Sequence, residues 1–269
     1  MNSIPLALYA VACVRYAMQF SRRTFDTSRA ASTWLVLAML AHTFIIGMET
    51  MRAGHLPVAG ATSAISTFVW LLALSYLYIE FTTGERSMGV FILPLLVALQ
   101  AIPAARPMLE ERSPLLEGVW FGVHVSSLLF AYASFALACV LGITYVLQFK
   151  EIKTKELGFF YERLPSLQVL DEMNLRAVKI GWLFLTVGLI SGAIWASQLR
   201  ATGDLFMSVA DPKIFVALLC WGVYSFELYA QRAIGWRGRR AAWLSAGGFG
   251  FVLLNVVPVS YLFTTSHTF

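Results

Sequence analysis

The chain has four histidines, His42, His55, His124 and His267, and few other side chains placed to do chemistry. His124 and His267 stand 143 residues apart, and each borders a long apolar run. Two neutral imidazoles meeting from opposite sides of a planar ligand could serve as the axial ligands of a haem iron. The same placement also suits two interfacial side chains hydrogen-bonded to their neighbours. His42 lies midway along an apolar run, either as a ligand or as a buried histidine bonded to an adjacent segment. His55 falls in a short polar break and reads as an exposed loop residue. Glu49, Glu80 and Glu227 lie near the ends of apolar runs. Transporters use such carboxylates as proton relays, and an interfacial location is the simpler account. Cys13, Cys139 and Cys220 all lie within apolar segments, without CxxC or metal-ligand spacing, and read as packing residues. No nucleophile–base pair, nucleotide-binding glycine loop or zinc motif is present, so no catalytic residue is assigned.

The elements that must position these side chains are helices in a bilayer. Hydrophobic residues make up 58% of the 269, and charged residues only 13%, about half the share in a soluble domain. The charges gather between long apolar runs, as a bilayer core requires. A helical span needs about 20 mostly apolar residues. A membrane β-barrel needs short strands of alternating polarity instead, and these runs are continuous. The spans are predicted at 4–20, 33–50, 61–80, 88–104, 119–148, 179–198, 213–230 and 241–264. The expected fold is therefore an all-α polytopic membrane helix bundle with about eight transmembrane helices, forming one domain over residues 1–269. No cleavable signal peptide precedes the first run, which Arg15 interrupts.

Of the 20 Lys and Arg, 14 fall in one set of alternate loops, five in the other, and Arg15 lies in the first run. The positive-inside rule makes the richer set cytoplasmic and puts both termini outside. The net charge of +5 is thus an orientation signal, and no nucleic-acid partner is implied. The longest polar stretch, 149–178, is cytoplasmic in this scheme. Leu167, Leu170, Asn174 and Val178 share one helical face there. A short amphipathic helix lying on the inner membrane surface is expected, with docking of a cytoplasmic partner as the sharper alternative.

Several ordered stretches carry a family likeness. Residues 120–135, WFGVHVSSLLFAYASF, resemble the histidine-bearing helix of the cytochrome c assembly family, which includes CcsA, CcmC and HemX-like proteins. Residues 164–171, LPSLQVLD, are similar to its inner segment, and 188–196, GLISGAIWA, to a later span. The turn GWRGRRAAW at 235–243 and the closing SHTF at 266–269 follow in the family's order. The likeness covers most of residues 35–269.

The resemblance implies that His124 and His267 are the family's two outward-facing histidines and hold haem b non-covalently outside the membrane. It implies that His42 matches a histidine within an early span, where a second haem can pass. The family's outer loop is tryptophan-rich and embraces the porphyrin. Here residues 198–213 keep Asp211, Pro212 and Lys213, and Trp195 precedes them, but the interior tryptophans are missing. Arg200 or Lys213 could pair with haem propionates, or anchor span ends at the interface. The reduced loop points toward the HemX-like branch and toward haem handling rather than a complete ligase. The implied setting is a bacterial cytoplasmic (inner) membrane, with haem, lipid and other cytochrome c maturation proteins as partners. A second expectation is a HemX-like regulator of glutamyl-tRNA reductase level, and a third is a small-molecule transporter.

Overall fold

The computed structural model describes residues 2–21, 29–58, 60–105, 118–155, 158–202 and 212–256. Among these residues there are helices and no strands. In chain order they are α1 (Ser3–Ser21), α2 (Ala30–Ala53), α3 (Ala61–Thr83), α4 (Gly89–Ala105), α5 (Val119–Thr154), α6 (Phe159–Arg163), α7 (Leu167–Thr202), α8 (Pro212–Tyr229) and α9 (Arg239–Val256). A π-helical turn, Ala230–Ile234, continues α8. Helices α1, α2, α3, α5, α7 and α8 with its π turn are long and apolar enough to cross a membrane. Helix α4 is shorter, 17 residues with Pro94 and Pro103 inside it. Helix α9 carries Arg239 and Arg240 at its start and is described as far as Val256. Each of the eight apolar runs of the sequence therefore falls on a helix, and among the described residues six of these helices are long and apolar enough to cross a membrane.

Helices α5 and α7, each 36 residues, are the backbone of the bundle. At 1.5 Å per residue each is about 54 Å long, well beyond a hydrocarbon core of about 30 Å. They run antiparallel along a seam of glycines. A Cβ added at Gly181 would meet the Phe135 ring at 2.4 Å, one at Gly188 would meet Leu128 at 2.7 Å, and one at Gly192 would meet the His124 ring at 2.5 Å. Each step of seven and then four residues up α7 matches the same step down α5. In a bilayer no hydrophobic drive favours helix contact over lipid contact, so close backbone approach through small residues must supply it. Beyond the glycines, Phe135 stacks on Tyr224 of α8, with ring centroids 3.6 Å apart. Two indoles tie α7 to α8: Trp182 donates to Ser225 at 2.7 Å, and Trp221 donates to Thr186 at 3.0 Å.

The expected surface helix within 149–178 is not a separate element. Helix α5 continues to Thr154, α6 makes a short turn, and α7 starts at Leu167 and runs unbroken. Leu170, Met173, Asn174, Ala177 and Val178 are buried. Asn174 donates to the Ala138 carbonyl of α5 at 2.8 Å. The apolar face was legible, but its partner is protein and not lipid. The opposite face carries the Glu172–Arg176 ion pair. Glu151 of α5 accepts from the Phe160 and Tyr161 backbone N–H groups and so caps α6, which ties the connection down.

Helices α1 to α4 pack together, and α3 joins them to α5 and α7. Their interior contains a buried carboxylate, Glu80, which accepts from the Tyr16 hydroxyl at 2.6 Å and from Ser32. Glu227 of α8 is buried in the other half, 2.6 Å from Ser245 of α9 and 3.2 Å from Gln231. Both carboxylates thus join helices through hydroxyl or amide groups.

Candidate functional site

His124 sits in the second turn of α5, at the end of the bundle away from the arginine-rich 235–240 turn, and is half-buried. Its Nδ1 lies 2.7 Å from the Gly188 carbonyl oxygen. A carbonyl oxygen only accepts, so Nδ1 carries the proton and the ring's basic lone pair is on Nε2. Metal-ligating histidines commonly have this arrangement, with the second nitrogen donating to a carbonyl to fix the tautomer and the ring plane. Ser191 donates to the same carbonyl at 3.1 Å and to Val187 at 2.8 Å. The ring lies against Gly192, where any side chain would collide with Nδ1. Trp195, one turn further along α7, stacks with His124 at 6.2 Å between centroids and 29° between planes. Phe121 packs on Trp195 at 5.2 Å.

These aromatics form a small core of their own. Val58, Phe121 and Trp195 are buried together, with Leu56, Val125, Leu129 and Leu199 around them. Leu56 and Val58 belong to the α2–α3 connection, so that connection folds onto the same end of the bundle. It carries His55, which the sequence reads as exposed and the structure half-buries. The His55 Nδ1–H donates to the Leu56 carbonyl at 3.0 Å. The only sequence signal for this was the apolar LPV that follows it.

His42 is placed differently. It is fully buried in α2, with Nδ1 3.2 Å from the Tyr9 hydroxyl of α1 and Nε2 3.0 Å from the Ser66 hydroxyl of α3. Both ring nitrogens are therefore engaged, and the residue joins three helices. Arg200 is exposed in the last turn of α7, and Lys213 is half-buried in the first turn of α8. They flank residues 203–211. Asp211 and His267 lie outside the described residues. The structure thus brings together His124 and Trp195, with Arg200 and Lys213 at the ends of the two adjoining helices. Among the described residues no group of three or more His, Cys, Asp or Glu could hold a metal ion.

The profile of the family described as Cytochrome C assembly protein matches residues 3–267. The chain belongs to the cytochrome c assembly family. Relatives within reach of it include the cytochrome c biogenesis protein CcsA of Heterosigma akashiwo, 30% identical over 262 residues that cover 84% of this chain and 80% of the relative. CcsA of Trieres chinensis is 24% identical and covers 98% of this chain and 94% of its own length. CcsA of a Synechococcus strain is 27% identical, covering 91% and 86%. Family membership and the helices agree on a multi-pass membrane protein. These relatives carry the CcsA name, and nothing in them singles out the HemX-like branch.

Proposed function

We propose that this chain holds haem b non-covalently at the end of α5 and α7 and presents it at the outer face of a bacterial cytoplasmic membrane, for cytochrome c biogenesis with other maturation proteins. The observation that carries the reading is the His124 hydrogen bond to Gly188, which leaves the metal-binding lone pair on Nε2. His267 would be the second residue to hold the haem, on the strength of its place in the closing motif. Bound haem would supply an iron that imidazole nitrogen can ligate. The protein's own contribution is to hold ring orientation and exclude water. Gly188 fixes the tautomer, Gly192 lets the two helices close on the ring, and Trp195 with Phe121 offers aromatic surface beside it. Lys213, Arg200 and the segment containing Asp211 would lie toward the propionates, where guanidinium or ammonium pairs with carboxylate. His42 is assigned the structural role its two hydrogen bonds describe. The tryptophan-poor 203–211 segment supports haem handling rather than a complete ligase in this reading.

The test is the absorption spectrum of the purified protein. Two axial imidazoles give a low-spin haem. His124→Ala and His267→Ala should each convert it to high spin or empty it, and added imidazole should partly restore the low-spin form. The two substitutions should be strongly non-additive, since both remove one bound state. A double substitution that keeps the wild-type spectrum and affinity would remove the bis-histidine site. Reporter fusions at Lys153 and Arg239 should read cytoplasm, with the outside read beyond the last helix.

A further inference from the structure

The 235–240 turn is held more firmly than an orientation signal requires. Helix α8 ends in a π turn, a geometry that recurs at functional positions. The Trp236 N–H closes the turn on the Ala230 carbonyl at 3.0 Å. Two glycines with positive φ, Gly235 at 73° and Gly238 at 64°, then carry the chain into α9, a conformation that other residues adopt only with strain. Gly238 is clamped from both sides. Its N–H donates to Asp171 of α7 at 2.8 Å, and a Cβ there would come within 2.5 Å of the Tyr145 hydroxyl of α5.

A cavity of about 830 Å³ lies between the turn and the ends of α5 and α9. Arg237, Arg239 and Arg240 line it together with the apolar and aromatic side chains of Tyr145, Phe149, Trp243 and Leu244. Two of the guanidinium groups lie over rings, Arg239 at 5.7 Å from the Phe149 centroid and Arg240 at 5.3 Å from that of Trp236. Such contacts hold the charges in place. Among the described residues no carboxylate is within ion-pair distance of these three arginines. The nearby Asp171 accepts from Gly238. Trp243 is 57% exposed, so one wall of the cavity faces outward from the bundle.

We infer that this cavity binds the phosphodiester of an anionic phospholipid in the same leaflet, with an acyl chain along Trp243 and Leu244. Arginine pairs with phosphate oxygens through two parallel N–H bonds, and basic pockets between membrane helices are a recurring lipid-headgroup site. Orientation alone needs positive charge near the span ends. It needs neither a cavity, nor rings beneath the guanidinium groups, nor a clamped turn. A free phosphate ion would use the arginines and leave the apolar wall without an occupant.

The experiment reconstitutes the full chain in vesicles of phosphatidylcholine with a minor fraction of either phosphatidylglycerol or phosphatidylcholine carrying brominated chains, and reads tryptophan quenching. Brominated phosphatidylglycerol should quench more strongly, and Trp243→Phe should remove the excess. Each Arg→Gln substitution should lower the preference about fivefold, and the triple variant R237Q/R239Q/R240Q should abolish it. Replacing all three by Lys keeps the orienting charge and should retain part of the preference, so a Gln variant that fails to insert does not decide the question. Equal quenching by the two lipids would overturn the inference. A preference indifferent to the arginines would overturn it as well. Loss of the preference on adding millimolar inorganic phosphate would assign the site to a bare anion and also overturn it.

Discussion

His42 and His124 lie in different halves of the molecule and differ in what their ring nitrogens touch. His42 is wholly enclosed, with the Tyr9 hydroxyl on Nδ1 and the Ser66 hydroxyl on Nε2. A hydroxyl can donate or accept, so either tautomer is satisfied there and neither nitrogen is reserved. His124 has a carbonyl on Nδ1, which only accepts, so the proton and the lone pair have fixed positions. The first arrangement suits a residue that holds α1, α2 and α3 together. The second fixes the tautomer and puts the basic lone pair on Nε2, as the proposed haem-holding role requires. Two histidines in apolar helices therefore carry opposite expectations, and the difference rests on one acceptor atom.

The comparison breaks most visibly at His124 itself. Replacing it by Ala should weaken haem retention by more than the roughly 10- to 100-fold that loss of a ligand's outer partner costs, while His42→Ala leaves the same Soret band in place. Reversed results in a haem titration of the two variants would exchange their roles. A smaller loss should follow from Gly192→Ala. Its methyl group would meet the His124 ring at 2.5 Å, move the ring off the Gly188 carbonyl, and cost about 10- to 100-fold in haem affinity. Wild-type affinity in that variant would show that the tautomer is set by something else.

His42→Ala should act on stability instead. Two buried hydroxyls lose their partner, at about 1–3 kcal/mol each, so the protein should unfold in milder denaturant with its haem spectrum unchanged. A loss of haem without a loss of stability would make His42 a ligand. The smallest effects should come from the flanking cations. Lys213→Ala should weaken haem binding a few-fold, and Arg200→Ala, at an exposed position, by less than that, since solvent-exposed pairs contribute about 0–1 kcal/mol, or at most about fivefold. Haem dimethyl ester, which lacks the carboxylates, should bind both variants and the wild type alike.

Of the candidate residues, the structure brings together His124 and Trp195, which the sequence puts in two separate motifs. The motif around His124 and the one containing Trp195 each announced themselves, and the apolar face at Leu170 and Val178 was visible as a stripe. That stripe was expected to meet lipid, because a helical pattern records which face is apolar and not what covers it. Helix α5 covers it, through contacts such as Asn174 to Ala138. His55 was harder still, since its half-buried state depends on Leu56 and Val58 packing against Trp195, more than a hundred residues away in the chain.

Run length and the exclusion of charge determined, without any structure, that this chain folds into long membrane helices. A bilayer core tolerates few charges and no open backbone, so about 20 consecutive apolar residues can cross it only as a helix. Which nitrogen of which histidine meets a carbonyl was decided by the tertiary structure alone. Gly188 and His124 are 64 residues apart, and they meet because three glycines set the antiparallel register of α7 on α5. A shift of one residue along that seam would turn another face of α7 toward α5 and leave the imidazole beside a different backbone atom.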